Sequence, residues 1–395
     1  MKRKIVLTLI GLVTTLTGMA QVRDISLNQG WNCETRVYSD TLFVATDNGL
    51  FAYDLKEENA VWKPYAFSGM TILNFVKDGD SFLVISVSDQ HRTLLRSLDK
   101  GVTVTDITPS DTHNGYSWGG VLDIRQIPND PKHVFVVYPM ESDANHYSTM
   151  LESVDFGAQW TPAGKSDSHA GTFAVDSDNA SHVLVYGLPR EYNCVCPYIL
   201  ETFDSFQTLT NVAFVGDKDM FIFADIAFSP ADSQRLIAAM DCGIAKSVDG
   251  GLTWQFSKDV GSNFTHILFD AAHPQRAYAL RYSSTYLEEY GNVYDIELFR
   301  STDAGDSWDK VYSVDGDVTM PERMLLYGNQ LLLVGDKDKI VMLDTNQLTP
   351  TAIQMPTAQP MGDHSGTVFY DLGGRKVKDA KNGTYIQNGK KIVVK

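Results

Sequence analysis

Short apolar runs recur in pairs along this chain, separated by turns rich in Pro and Asp. Residues 121–127 pair with 134–138, 223–228 with 236–240, and 266–269 with 277–281. The turns between them, at 128–131, 230–232 and 273–274, all contain Pro. Runs of this length and composition read as β-strands. Downstream of each pair lies one recurring segment. Ser153-Val-Asp155-Phe-Gly157-Ala-Gln-Trp160, Ser247-Val-Asp249-Gly-Gly251-Leu-Thr-Trp254 and Ser301-Thr-Asp303-Ala-Gly305-Asp-Ser-Trp308 all fit S-x-D-x-G-x-x-W. Degraded copies stand at Ser97-Leu-Asp99-Lys-Gly101-Val-Thr-Val104 and Thr202-Phe-Asp204-Ser-Phe206-Gln-Thr-Leu209. Successive copies begin 56, 49, 45 and 54 residues apart, which predicts a fixed hairpin joined by loops of varied length. The segment has the chemistry of a turn. Asp accepts backbone N–H groups, Gly supplies a positive φ, and Ser ties off the strand.

These repeats resemble the Asp-box (BNR) repeat of sialidases, sortilin-type receptors, xyloglucan-degrading enzymes and photosystem assembly factors. The resemblance implies an all-β fold, a single β-propeller with four strands, A to D, in each blade. It places each box on the hairpin between strands C and D. It also makes Asp99, Asp155, Trp160, Asp204, Asp249, Trp254, Asp303 and Trp308 structural rather than catalytic. Two groups of runs carry no box: 42–45, 49–53 and 62–66, and 324–326, 331–334, 340–343 and 352–355. At roughly 45–50 residues per unit the count is seven blades, or six if the ends merge. Residues 22–27 are expected to pair into the last blade and close the ring, which removes exposed edges.

The composition, 43% apolar and 21% charged, is that of a globular chain and argues against disorder. The net charge of -16 is unevenly placed, because both ends are basic and residues 21–364 stand at -24. A body this acidic argues against nucleic acid or anionic membrane surfaces as partners. The N-terminus, Met-Lys-Arg-Lys followed by apolar residues 5–16 and Gly18-Met19-Ala20, reads as a secretory signal peptide. It is too short for a membrane-spanning helix, and no other stretch is long enough. At the other end, Val368-Phe-Tyr-Asp-Leu-Gly-Gly-Arg-Lys-Val377 is followed by Gly383-Thr-Tyr-Ile-Gln-Asn-Gly-Lys-Lys-Ile-Val-Val-Lys395. Asn388-Gly389 there reads as a tight hairpin turn. This tail resembles the C-terminal sorting domain of the Bacteroidetes type IX secretion system. The expected division is a signal peptide at 1–20, a propeller at 21–360 and a sorting-like tail at 361–395. The expected location is secreted or cell-surface, or periplasmic if the tail is not a working signal. Of the four cysteines, Cys33, Cys194, Cys196 and Cys242, no connectivity is readable, and thiols are expected.

A propeller carries its A–B and C–D turns on one face and its B–C and D–A loops on the other, around the channel mouth. Three B–C segments are expected as long loops: 138–149 in the third blade, 186–198 in the fourth and 282–294 in the sixth. Long loops on a rigid scaffold are where binding sites are built. They supply the binding candidates Tyr138, His146, Tyr147, Tyr186, Arg190, Tyr192, Tyr282, Tyr286 and Tyr290. Glu141, Glu191, Glu288 and Glu289 add acid, as do Asp217, Asp219, Asp315, Asp317, Asp336 and Asp338 on neighbouring turns. Tyr combines flat apolar area with a hydroxyl, which suits sugar rings and protein hot spots.

Chemistry on this face is the competing reading. A sialidase uses an arginine cluster, a Tyr paired with Glu, and an Asp acid/base. Arg125, in Ile124-Arg-Gln-Ile-Pro128, approaches the family's F/Y-R-I-P motif with one Gln inserted. Tyr282, Tyr286, Glu288 and Glu289 are the other catalytic candidates. No P-loop, G-x-S-x-G, H-E-x-x-H or dinucleotide motif is present. No cofactor is expected. Calcium at Asp217-Lys-Asp219 or Asp336-Lys-Asp338 would find two carboxylates where it takes about six oxygens. The expectation is an exported, monomeric, non-enzymatic propeller that binds a glycan or an extracellular or periplasmic protein, its tail engaging the secretion machinery. A glycoside hydrolase of Asp-box type is the alternative.

Overall fold

The computed structural model describes residues 22–27, 32–88, 91–109, 121, 123–127, 129–142, 145–166, 169–176, 179, 181–188, 198–204, 208, 210–211, 223–257, 260–287, 291–314, 321–335 and 340–350, and in the tail 369–370, 376–377, 383–387 and 390–394. Seven four-stranded antiparallel sheets follow one another through residues 22–344 as the blades of a β-propeller. Their innermost strands are Asn32–Tyr38, Thr71–Asp78, Asp123–Ile127, His169–Val175, Phe223–Ser229, Phe264–Phe269 and Pro321–Tyr327. The count of seven, with no helix among the described residues, agrees with the repeat spacing.

The second strand of each blade is the most apolar because both of its faces are buried. In Ser81–Ser88, Phe82 and Val84 pack toward the first blade while Leu83 and Ile85 pack toward the third. A strand covered on both sides loses the apolar/polar alternation of a half-exposed one. Seven hydrophobic clusters result, one at each junction between neighbouring blades.

The ring closes through the N-terminus. Val22–Asp24 forms the outermost strand of the seventh blade, with Val22, Arg23 and Asp24 opposite Leu343, Met342 and Val341. That position was expected for residues 352–355, which lie outside the described residues. The N-terminal strand takes it because Ile25 and Leu27 go on to fill the junction between blades seven and one.

The repeated segment folds as one turn five times. The Ser or Thr hydroxyl donates to Asp99, Asp155, Asp204, Asp249 or Asp303 at 2.8–2.9 Å. Each Asp Oδ1 then accepts the backbone N–H four residues on, at 2.8–2.9 Å. Where Gly is present, its N–H returns to the Ser Oγ at 2.7–2.9 Å. These aspartates are thus occupied in holding the turn. The indoles of Trp254 and Trp308 donate to the carbonyls of Gly251 and Gly305, and Trp254 is buried. The Trp160 indole nitrogen has no partner among the described residues.

Two successive residues, not one, take the left-handed conformation, as at Ala304 (φ 55°) and Gly305 (φ 91°). The turn also presses on the preceding blade. A Cβ on Gly305 would stand 2.6 Å from Cγ2 of the buried Ile237. Gly305→Ala therefore costs about 2–3 kcal/mol through strain and overpacking. Thermal melting is expected to show a loss of roughly 5 °C, and an unchanged Tm would refute this contact.

Residues 352–395 form a second unit. Within it, Gly383–Gln387 and Lys390–Val394 pair from Gly383 opposite Val394 to Gln387 opposite Lys390, across Asn388-Gly389. Phe369–Tyr370 and Lys376–Val377 complete its sheet.

Candidate functional site

The innermost strands do more than border the channel. In blades one, two, five, six and seven, each slips register by one residue near its start, after residues 32, 72, 223, 264 and 321. Such a bulge re-aims the next side chain. Here those side chains are Glu34, Asn74, Asp225, His266 and Arg323, and Asp123 opens the innermost strand of blade three. All six line a cavity of about 840 Å³ in the channel. Arg36 and Arg125, two residues further along their strands, line it too, with Arg92 from blade two and Tyr186 from blade four. The cavity sits where the innermost strands begin, the end of the ring that carries the B–C connections.

A belt of hydrogen bonds crosses four blades along its wall. Arg323 grips Glu34 with two bonds, Nε to Oε1 at 3.0 Å and Nη2 to Oε2 at 2.9 Å. Arg36 Nη2 donates to Asn74 Oδ1 at 3.0 Å, and Asn74 Nδ2 donates to Asp123 Oδ1 at 2.9 Å. Asp123 Oδ2 accepts from Arg125 Nε at 2.9 Å. Across the channel, Asp225 accepts the backbone N–H groups of Ile226 at 3.0 Å and Ile267 at 3.1 Å, and the Tyr186 hydroxyl at 3.5 Å.

Charge in this wall is set by burial against pairing. Burial alone would raise the Glu34 carboxyl, but Arg36 and Arg323 outweigh it and hold its pKa down at about 2. Asp123 raises the Arg125 guanidinium, and Glu34 raises that of Arg323. Asp225 goes the other way. Its burial pushes the carboxyl up, and His266 offsets only part of the rise.

The sequence candidates divide sharply. Arg125 and Tyr186 reach the cavity. Within 138–149 and 282–294, expected as loops, residues 138–142, 145–149, 282–287 and 291–294 are paired backbone. Tyr138 stands opposite Thr149, Met140 opposite Tyr147 and Glu141 opposite His146. In blade six, Tyr282 to Leu287 pair with Ile296 to Gly291. These residues are polar and β-prone, so the two strands keep pairing after they leave the apolar junctions. The result is two hairpin arms, on blades three and six, on the channel-mouth face. The Tyr282 side chain is half-buried against the junction of blades six and seven. Tyr286 lies on the blade-six arm. Arg190, Tyr192, Glu288, Glu289 and Tyr290 fall outside the described residues, as do Cys194, Cys196 and the Asp217, Asp315 and Asp336 turns. Neither Cys33 nor Cys242 is in a disulfide, and burial pushes the Cys242 thiol up to about 12. Among the described residues no group of three or more His, Cys, Asp or Glu could hold a metal ion, and no helix is long and apolar enough to cross a membrane.

Sequence reasoning missed Glu34, Arg36, Asn74, Arg92, Asp123, Asp225, His266 and Arg323. One signal was available in principle. A polar residue recurs near the start of successive innermost strands, beside apolar neighbours.

No protein-family profile matches the chain, and no curated protein matches it by sequence. Solved structures do. A GH74 xyloglucanase from Xanthomonas campestris superposes with TM-score 0.53 at 14% identity, over 84% of this chain and 54% of that one. The chain therefore spans about half the length of that enzyme. YCF48 bound to D1 peptide gives TM-score 0.55 at 13% identity, over 84% and 96% of the two chains. An oligogalacturonate lyase in complex with manganese gives 0.56 at 11%, over 83% and 94%. At such identities these similarities establish a shared β-propeller fold.

Proposed function

We propose that this chain is an exported, non-enzymatic propeller that binds a glycan or protein partner on its channel-mouth face. The cavity is the centre of the site and the arms of blades three and six flank it. The observation that carries this reading is the state of the channel carboxylates. Glu34 is clamped by Arg323, and Asp123 by Arg125 and Asn74. Carboxylates so engaged build a charged wall rather than an attacking pair. The neighbours named above include a peptide complex and a glycoside hydrolase, so both partner classes belong in the test. The signal-like N-terminus and the sorting-like tail support export, and the repeats support the Asp-box reading of the turns.

A glycoside hydrolase is the second reading, and Asp225 favours it. A buried carboxyl with a raised pKa, in one cavity with a carboxylate held at about 2, is how acid/base roles are separated. A glycan and peptide array together with a chromogenic glycoside panel on protein lacking residues 1–20 separates the two. Binding without turnover is expected. Turnover abolished by Asp225→Asn, Glu288→Gln or Glu289→Gln would establish the enzyme instead.

A further inference from the structure

We propose that Arg36 and Arg92 form a site in the channel mouth for the carboxylate of a small organic acid. This rests on the reading of the cavity as a binding site and names the chemistry it takes. Among the described residues four arginines line the cavity, Arg36, Arg92, Arg125 and Arg323, against three carboxylates, Glu34, Asp123 and Asp225. Each carboxylate is already engaged. Glu34 takes both bonds from Arg323. Asp123 takes Arg125, Asn74 and its own strand's N–H from Ile124. Asp225 takes two backbone N–H groups.

Among the described residues, Arg36 has only a long ion pair with Glu34 and no hydrogen bond to a carboxylate, and Arg92 has no carboxylate partner. Arg36 comes no nearer than 3.8 Å to Glu34. Its Nη2 is spent on the neutral acceptors Asn74 Oδ1 and Ile124 O, and its buried Nε has no acceptor. The Arg92 side chain makes no hydrogen bond or ion pair with the described residues, and its position on His91–Ser97 puts it at the mouth. A buried guanidinium N–H without an acceptor is costly, so the site favours an incoming anion. The chain as a whole carries -16, yet the described residues of this cavity hold a surplus of positive charge. One surplus charge matches a monoanion, and the planar fork of a guanidinium offers paired N–H groups to a carboxylate. A cavity of about 840 Å³ has room for an acid the size of a sugar.

The test is isothermal titration of protein lacking residues 1–20 with D-glucuronate, D-glucose and inorganic phosphate. Glucuronate and glucose differ only in the carboxylate. Glucuronate is expected to bind, weakening with added salt, while glucose and phosphate bind at least tenfold more weakly. Arg36→Gln and Arg92→Gln are each expected to weaken glucuronate at least tenfold. Arg92→Gln removes no hydrogen bond within the described fold, so its melting curve should match wild type even if Arg36→Gln is less stable. Wild-type protein that ignores glucuronate, variants that bind it unchanged, or phosphate bound as tightly would each overturn the proposal. A partner from the array lost on Arg125→Gln, with glucuronate inert, would overturn the carboxylate while leaving the channel-mouth reading standing. Array binding that survives Arg125→Gln would strike at that reading instead.

Discussion

Replacing Glu34 by glutamine is expected to lower the melting temperature by roughly 5–10 °C at neutral pH. Glu34 is 4% exposed and lies between two guanidiniums, so the substitution leaves a buried neutral amide against the partly exposed Arg323. Breaking a fully buried pair from one side costs about 3–5 kcal/mol, and the partial exposure of Arg323 puts this pair at the lower end of that range. The same residue sets the acid limb of stability. Its folded pKa of about 2 lies below the ordinary 4.5, so the unfolded chain takes up its proton first as pH falls. The stabilisation is present above pH 4.5 and is lost as pH falls toward 2. A depression of that size corresponds to about 3 kcal/mol. Asp225 has the opposite sign. Its raised pKa means that it protonates earlier in the folded state, and so it offsets part of the acid loss. Melting curves from pH 7 to pH 2 check both parts. The Glu34→Gln protein should start lower and decline less steeply, and parallel curves would show that Glu34 is not the depressed group.

Deleting residues 1–27 is expected to cost still more. It removes the outermost strand of blade seven and with it Ile25 and Leu27, which are 5% and 4% exposed. It also takes away the Ile25 carbonyl that accepts the Trp62 indole N–H at 2.8 Å. Each buried aliphatic side chain is worth about 2–5 kcal/mol on truncation, and Ile340–Asp344 becomes an open edge. A protein beginning at residue 28 should melt more than about 10 °C lower and aggregate, or fail to fold. Ile25→Ala with Leu27→Ala should show a smaller loss in the same direction. A full-stability protein without residues 22–27 would mean that the ring closes by another route.

The ring itself was legible because its information is local and repeated. Ser, Asp and Gly at fixed offsets specify a turn wherever they occur, and Phe82-Leu83-Val84-Ile85 announces a strand buried on both faces. Ring closure by residues 22–27 followed from the need to remove an edge. The fourth strand of blade seven was misassigned because 352–355 carries the same kind of short apolar run. The channel was not legible. Glu34 and Arg323 are 289 residues apart in sequence and meet only when the ring closes. The bulges that aim Asn74, Asp225 and His266 inward are properties of strand register, which Asn32–Tyr38 or Phe223–Ser229 does not declare in its composition. Arg125 stands out in the sequence through a motif likeness alone, and its salt bridge to Asp123 is the physical reason for its place in the wall. The arms misled because polar strands outside the apolar junctions look like loops.

The central claim is that recognition occurs at the channel mouth and not on the face that carries the repeated turns. That opposite face is a real competitor, since Leu98, Val154, Phe203 and Val248 are 55–66% exposed on those turns. The most direct measurement is the affinity of an array-selected partner for wild type, for Arg125→Gln and for Val154→Glu with Val248→Glu. The account predicts at least tenfold weaker binding for Arg125→Gln and wild-type affinity for the turn-face variant. Unchanged binding to Arg125→Gln with loss on the turn face would contradict it.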